Sequence, residues 1–273
     1  MKSIDSYSPL TFAAVEAALK AGELLLSGFG TDYKISSKSG NQNLVTEYDL
    51  ASQNLIVSTL KKQFPDHQFL GEEDKIESKL DNSKIVWIID PLDGTVNFAR
   101  SIPIFCVSIA AALGKEILTG VVYYPSMNEL FVAEKNQGAY LNGKRIAVSQ
   151  RDRFDISFMA TGFPYDVDKD PLKCVERFAS IVKKGIPIRR LGSAAIDLSY
   201  VACGRFDTFW EVGLHPWDLA AGKLLIEEAG GKVSHYDGRE HQLYGYFPTL
   251  ATNGHLHQKM VDLLKQDMVH ATH

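Results

Sequence analysis

The segment Ile85–Asp90, IVWIID, constrains the fold more than any other stretch of this chain. It is a nearly unbroken apolar run with β-branched and aromatic members, stopped by Pro91. Such a run reads as a strand buried on both faces. The run ends in a carboxylate. Pro91, Leu92, Asp93, Gly94 and Thr95 follow, so a second carboxylate stands on a turn with a glycine and a hydroxyl behind it. Two carboxylates on one tight turn repel by about 4 kcal/mol at roughly 4 Å where the effective dielectric is near 20. Either one stays protonated or a cation lies between them. An all-oxygen set suits a hard ion such as Mg²⁺, which keeps water or substrate phosphate in its remaining positions. Gly94 permits close approach to the backbone, and a helix starting near Thr95 would turn its unpaired N–H groups toward an anion. Taken alone, the stretch is equally consistent with a strand end followed by an ordinary Asp-Gly turn.

With 273 residues, 45% hydrophobic and 23% charged, the chain is long enough for one large domain or two packed lobes. Its formal net charge of −4 gives no reason to expect a nucleic-acid or anionic-membrane partner. Cys106, Cys174 and Cys203 are odd in number and far apart, which argues against a disulfide framework or a thiolate zinc site and fits a reducing compartment. The start, MKSIDSYSPL, lacks the apolar core of a secretory signal, and no apolar run approaches the ~20 residues of a membrane span. These features place the expected protein in the cytoplasm, without a membrane partner.

Along the chain, Thr11 to Leu26 has helical spacing of Phe12, Val15 and Leu19 and should end at Gly28 or Gly30. The polar TDYKISSKSGNQN reads as a loop or the turn of a loose hairpin, in which Lys38 could approach an anion. A helix is expected from Glu47 to Gln63, and Thr46 with Asp49 has the outline of a capping box, which is a sufficient role for Asp49. Glu72 and Glu73 follow a short strand, where paired acids are ordinarily solvated surface. From Ile102 to Val148, short apolar stretches separated by turn signals, Asn142-Gly143 the clearest, predict an antiparallel meander. After Gln150 strands and helices alternate, which predicts an α/β lobe. The expected division is an α+β lobe over 1–150 and an α/β lobe over 151–273. In the second lobe, Gly192-Ser193-Ala194 forms a strand-to-helix turn that Ser193 can cap. Asp218 stands with Pro216 in a first helical turn, where both have structural reasons to be.

Taken together, LVTEYD at Leu44–Asp49, GEE at Gly71–Glu73, DPLDGTVNF at Asp90–Phe98 and WDLAAG at Trp217–Gly222 resemble the inositol monophosphatase superfamily, in order and separation, over nearly the whole chain. The resemblance implies a layered α-β-α-β-α sandwich of the inositol monophosphatase/fructose-1,6-bisphosphatase type. It also implies a phosphomonoesterase dependent on two or three Mg²⁺ ions, commonly a homodimer and often inhibited by Li⁺. By the same resemblance, Glu72, Asp90 and the Leu92 carbonyl would hold one metal, and Asp90, Asp93 and Asp218 another. The attacking water would sit near Glu72 and Thr95, with Asp49 and Glu73 in support. Phosphate would rest on Asp93, Gly94 and Thr95, and the substrate's hydroxyls would meet Gly192, Ser193, Ala194 and Glu211. Such an assignment agrees with the chemistry: cations clamping an in-line displacement and backbone N–H groups on the phosphoryl oxygens need no covalent nucleophile. Asn43 departs from the family pattern, in which an Asp often precedes the L-V-T step.

A haloacid-dehalogenase-like phosphatase would separate its two acids by one residue, not two, and no G-x-x-x-x-G-K-[ST] run supports a P-loop hydrolase. Relatives act on inositol monophosphate, sugar bisphosphates, nucleotide 3′-phosphates, histidinol phosphate or NADP. Glu211 favours a polyol or sugar phosphate, and inositol monophosphate is the expected substrate. A partner-binding role in transcription is the alternative of another class.

Overall fold

The computed structural model describes residues 7–39, 43–73 and 80–269. A long helix α1 (Pro9–Gly28) begins on Ser8, whose hydroxyl accepts from Thr11 N, and Pro9 occupies its first turn. The short strands β1 (Ile35–Ser39) and β2 (Asn43–Thr46) pair antiparallel, so the polar segment after α1 contributes to a two-stranded sheet. The expectation for Lys38 falls outside the described side chains. Helix α2 (Glu47–Gln63) carries the complete capping box between Thr46 and Asp49. Then come β3 (Gln68–Gly71), β4 (Ile85–Asp93), a five-residue α3 (Thr95–Ala99), and the meander β5 (Cys106–Leu113), β6 (Glu116–Tyr124), β7 (Glu129–Glu134), β8 (Gly138–Leu141) and β9 (Lys144–Arg145). Together β3 to β9 make a seven-stranded sheet in chain order, antiparallel except for the β3–β4 pair.

The remaining elements are β10 (Met159–Thr161), α4 (Cys174–Val182), β11 (Ile188–Arg189), α5 (Ala194–Ala202), β12 (Thr208–Leu214), α6 (Pro216–Glu228), β13 (Lys232–Ser234), β14 (Phe247–Thr252) and α7 (His257–Val269). Their strands form a second, five-stranded sheet in the order β11-β10-β12-β14-β13. Helix α4 starts later than the pattern of PLKCVERFASIVKK predicts, because Asp170, Leu172 and Lys173 take φ of 46°, 51° and 55° and break the helical path. Strand β11 is short, holding only Ile188 and Arg189.

Three hydrophobic clusters separate the layers. Helices α1 and α2 cover one face of the seven-stranded sheet. The pair α5 and α6 fills the space between the two sheets. Helices α4 and α7 close the outer face of the second sheet. The protein is thus an α-β-α-β-α sandwich. Strand β4 shows why its sequence is apolar throughout: Trp87 and Ile89 enter the α1–α2 cluster, while Val86 and Ile88 enter the α5–α6 cluster. Each such side chain contributes about 1.5–3 kcal/mol on burial.

Strand β4 also runs past Pro91 to Asp93, where the apolar run alone stops at Asp90. The extension is a bulge. On β5, Asp90 pairs with Ser108 and Asp93 with Cys106, so three residues of one strand span two of the other. Pro91 is tolerated there because a bulge frees its position from the hydrogen-bond ladder. Strict alternation would put Asp90 and Asp93 on opposite faces; the extra residue turns both toward the α5–α6 layer.

Candidate active site

Four acids converge on this layer, and a fifth, Asp49 of α2, joins them through Thr95. Asp90 and Asp93 come from the bulge. Glu72 follows β3, and its N–H donates to Ile89 O at 3.1 Å, which places it beside the end of β4. Asp218 lies in the first turn of α6, with His215 N donating to its Oδ2 at 2.8 Å. Ser108 on β5 donates to Trp217 O at 3.2 Å and ties that turn to the sheet. Asp49, fully buried, takes Thr46 N at 2.7 Å and Thr46 Oγ1 at 2.6 Å on one oxygen, and lies 3.0 Å from the Thr95 hydroxyl with the other. The cap and the site are therefore the same residue. Glu73 contributes its N–H to Gln53 Oε1 at 3.2 Å and so fixes the turn that carries Glu72.

The acids act on one another. Burial, then the charges of Glu72, Asp93 and Asp218, hold Asp90 well above the usual carboxylate range. Burial, then Glu72 and Asp93, does the same for Asp218. Asp93 is pushed up to about 6 by burial, opposed by hydrogen bonds from Ser193 and Ala195. Asp49 is raised by burial and by Glu72, against the donors from Thr46 and Thr95. Among the described residues no three of these side chains close on one point as in a finished metal cage. Each of these aspartates keeps an oxygen on a nearby donor, Asp90 on Leu92 N at 3.0 Å and Asp93 on Ala195 N at 2.7 Å. The donor set is nonetheless hard, all-oxygen and electrostatically overloaded, which is the chemistry that fits a divalent cation such as Mg²⁺. Leu92 O, which receives Thr95 Oγ1 at 3.0 Å, has a second lone pair to offer.

Gly94 adopts φ 95°, and an ideal Cβ on it would lie 2.7 Å from Ile104 O, so only glycine fits this turn. Helix α3 does start at Thr95 but has five residues, so an anion there would rely on the local N–H groups and little on a helix dipole. Across the layer, Gly192 (φ 84°) and Ser193 start α5. The Ser193 hydroxyl accepts from Ile196 N at 3.4 Å and donates to Asp93 Oδ2 at 2.7 Å, so it caps the helix and binds Asp93 at once. Ala194 supplies a further backbone donor to Asp93. Glu211 on β12 fills the space beside Gly162 that a side chain would occupy. Burial pushes it up to about 8, against the pull of Arg190 and with the push of Asp93. Near neutrality it therefore offers a hydroxyl donor as well as an acceptor.

Three neighbours of these acids lie outside every motif named above. Asp197, on α5, is buried and held well above the usual range by burial, Glu211 and Asp93, and its Oδ1 has no hydrogen-bond partner among the described residues. Its signal was an acid inside the apolar run SAAIDLSYVA. Arg190 stands by Gly192, with Nη1 2.9 Å from an ideal Cβ there. His215 stacks on Trp217 at 4.7 Å, and burial lowers its imidazole against the pull of Glu72.

A two-sheet sandwich with buried acids on a strand bulge, facing a helix start that donates to one of them, is the class of architecture to compare with known proteins. The inositol monophosphatase family model matches residues 6–268, and the chain belongs to that family. It is 43% identical over 251 residues to inositol-1-monophosphatase of Synechocystis sp., covering 92% of this chain and 87% of that protein. It is 42% identical over 231 residues to Nus factor SuhB of Escherichia coli (strain K12), covering 84% of this chain and 86% of that one. The solved inositol monophosphatase from Anabaena (Nostoc) sp. superposes with a TM-score of 0.82 at 38% identity, covering 94% of this chain and 95% of that chain.

Proposed function

We propose that the protein is a Mg²⁺-dependent phosphomonoesterase that hydrolyses inositol monophosphate to inositol and phosphate. The observation that carries this reading is the convergence of four acids from three segments, Glu72 after β3, Asp90 and Asp93 on the β4 bulge and Asp218 on α6, close enough that their charges raise one another. The name of the Synechocystis relative supports the substrate class. Glu72, Asp90, Leu92 O, Asp93 and Asp218 would hold two or three Mg²⁺ ions, which supply charge stabilisation at the phosphoryl group and an acidified water.

The chain's own groups do the rest. Thr95 Oγ1 is 3.0 Å from both Asp49 Oδ1 and Leu92 O, and its single proton satisfies one of them at a time. Its free lone pair then orients a water, with Glu72 placed to take that water's proton. The N–H groups following Asp93 face the phosphoryl oxygens. On the leaving side, Glu211 exchanges hydrogen bonds with ring hydroxyls, and Gly192, Ser193 and Ala194 form the opposite edge. The 1–150 lobe carries most of the metal ligands, and the 151–273 lobe supplies Asp218 and the substrate contacts. A cytoplasmic homodimer without a nucleic-acid or membrane partner completes the proposal.

The test is phosphate release from a panel of inositol 1-phosphate, fructose bisphosphate, adenosine 3′,5′-bisphosphate and histidinol phosphate, with and without Mg²⁺. Inositol 1-phosphate should lead, and Asp90→Asn should abolish the Mg²⁺-dependent rate with the fold intact. Preference for a bisphosphate would overturn the substrate, and an active Asp90→Asn the site. The likeness to Nus factor SuhB favours a second, non-catalytic role in transcription. A partner captured equally by the unmodified chain and by Asp93→Asn would support it, and no capture by either would remove it.

A further inference from the structure

Tyr246 precedes β14, and half of its surface is exposed, with a relative accessibility of 50%. The ring is nonetheless held in place. An ideal Cβ on Gly213 would collide with its Cε1 and Cζ, so the ring lies where a side chain at position 213 would stand. Its centroid is 4.8 Å from the His215 imidazole, at an interplanar angle of 43°. His215 in turn stacks on Trp217 at 4.7 Å and 14°, and its N–H holds Asp218. The phenol is thereby fastened to the turn that delivers Asp218. Glu211 lies two residues before Gly213 on β12, and its charge, with those of Asp166 and Asp218, adds to burial in raising the phenol above its usual range.

An aromatic ring with accessible surface beside a hydroxyl-binding acid has two complementary parts. The acid addresses polar edges, and the ring offers an apolar plane at low entropic cost, since its neighbours already fix it. A cyclic polyol has the matching distribution, with hydroxyls around its rim and C–H bonds over its faces. We propose that Tyr246 is a specificity-determining residue whose ring packs against the C–H face of a cyclic polyol leaving group while Glu211 takes its hydroxyls. The proposal rests on the phosphomonoesterase reading above and names the residue that would favour ring alcohols over acyclic ones. An acyclic alcohol presents no comparable flat face and gains less from the ring.

The experiment compares kcat and KM for inositol 1-phosphate and glycerol 2-phosphate, with Mg²⁺, in the full chain and in Tyr246→Ala, Tyr246→Phe and Gly213→Ala. The ratio of kcat/KM, cyclic over acyclic, should fall about tenfold in Tyr246→Ala, with the loss mainly in KM for the cyclic ester. Tyr246→Phe should keep the ratio within threefold. Gly213→Ala, whose methyl displaces the ring without removing it, should behave like Tyr246→Ala. A ratio within threefold of the unmodified chain in Tyr246→Ala, or an equal loss in Tyr246→Phe, would overturn the proposal alone. No turnover of either ester by the unmodified chain would overturn the underlying reading, and this proposal with it.

Discussion

Ser193 joins the start of α5 to the seven-stranded sheet through one atom, and removing that atom has a calculable effect. Its hydroxyl donates to Asp93 Oδ2 at 2.7 Å and accepts from Ile196 N at 3.4 Å. Ser193→Ala removes a helix cap worth about 1 kcal/mol and a hydrogen bond to a charged group worth about 1.5–3 kcal/mol. The residue is buried, so water does not replace the lost partner. Asp93 keeps Ala195 N at 2.7 Å, which limits the damage. The expected loss is about 3 kcal/mol, or roughly 8 °C in Tm for a chain of this size. Urea unfolding at pH 8 is the assay, because Asp93, pushed up to about 6, is ionised there. A double-mutant cycle with Asp93→Ala separates the two parts, and the coupling should be about 1.5–3 kcal/mol. A coupling below about 0.5 kcal/mol would refute the claim that Ser193 restrains Asp93 across the layer.

Two further perturbations follow from the packing and the buried histidines. An ideal Cβ on Gly120 of β6 would lie 2.9 Å from both Cα and O of Ala221 on α6, backbone that cannot rotate away, so Gly120→Ala should cost about 1–3 kcal/mol; an unchanged urea midpoint would contradict that approach of helix to sheet. Burial pushes His257 down to about 4, and Thr252 Oγ1 at 2.9 Å and Ser234 Oγ at 3.0 Å hold the neutral ring. The unfolded chain binds its proton near pH 6.5, so this depressed group contributes stability above that pH and loses it as pH falls toward 4. Relative to His257→Gln, the unmodified chain should lose about 2 kcal/mol between pH 7 and pH 5; parallel stability profiles for the two would dismiss the assignment.

Much of the layer order was legible because apolar runs and turn residues speak locally. IVWIID announced a strand buried on both faces, and Thr46 with Asp49 announced a cap, without reference to anything distant. The bulge was not legible, since Pro91 reads as a stop and only the pairing of Asp93 with Cys106 reveals that the strand continues. The acids themselves stood in recognisable motifs, yet what brings Asp218 to Asp90 is the burial of α6 between two sheets, a long-range event. Asp197 and Tyr246 stand outside every motif for a related reason. One is an acid in an apolar helix and the other an aromatic in a loop, and each acquires meaning only from Glu211 and Gly213 on β12.

The central claim is that acids from separate segments jointly hold divalent cations. Isothermal titration of the full chain with Mg²⁺ tests it most directly, alongside Asp90→Asn and Asp218→Asn. The account predicts saturable binding by the unmodified chain and at least tenfold weaker binding by each variant. Equal Mg²⁺ affinity in all three proteins would contradict it.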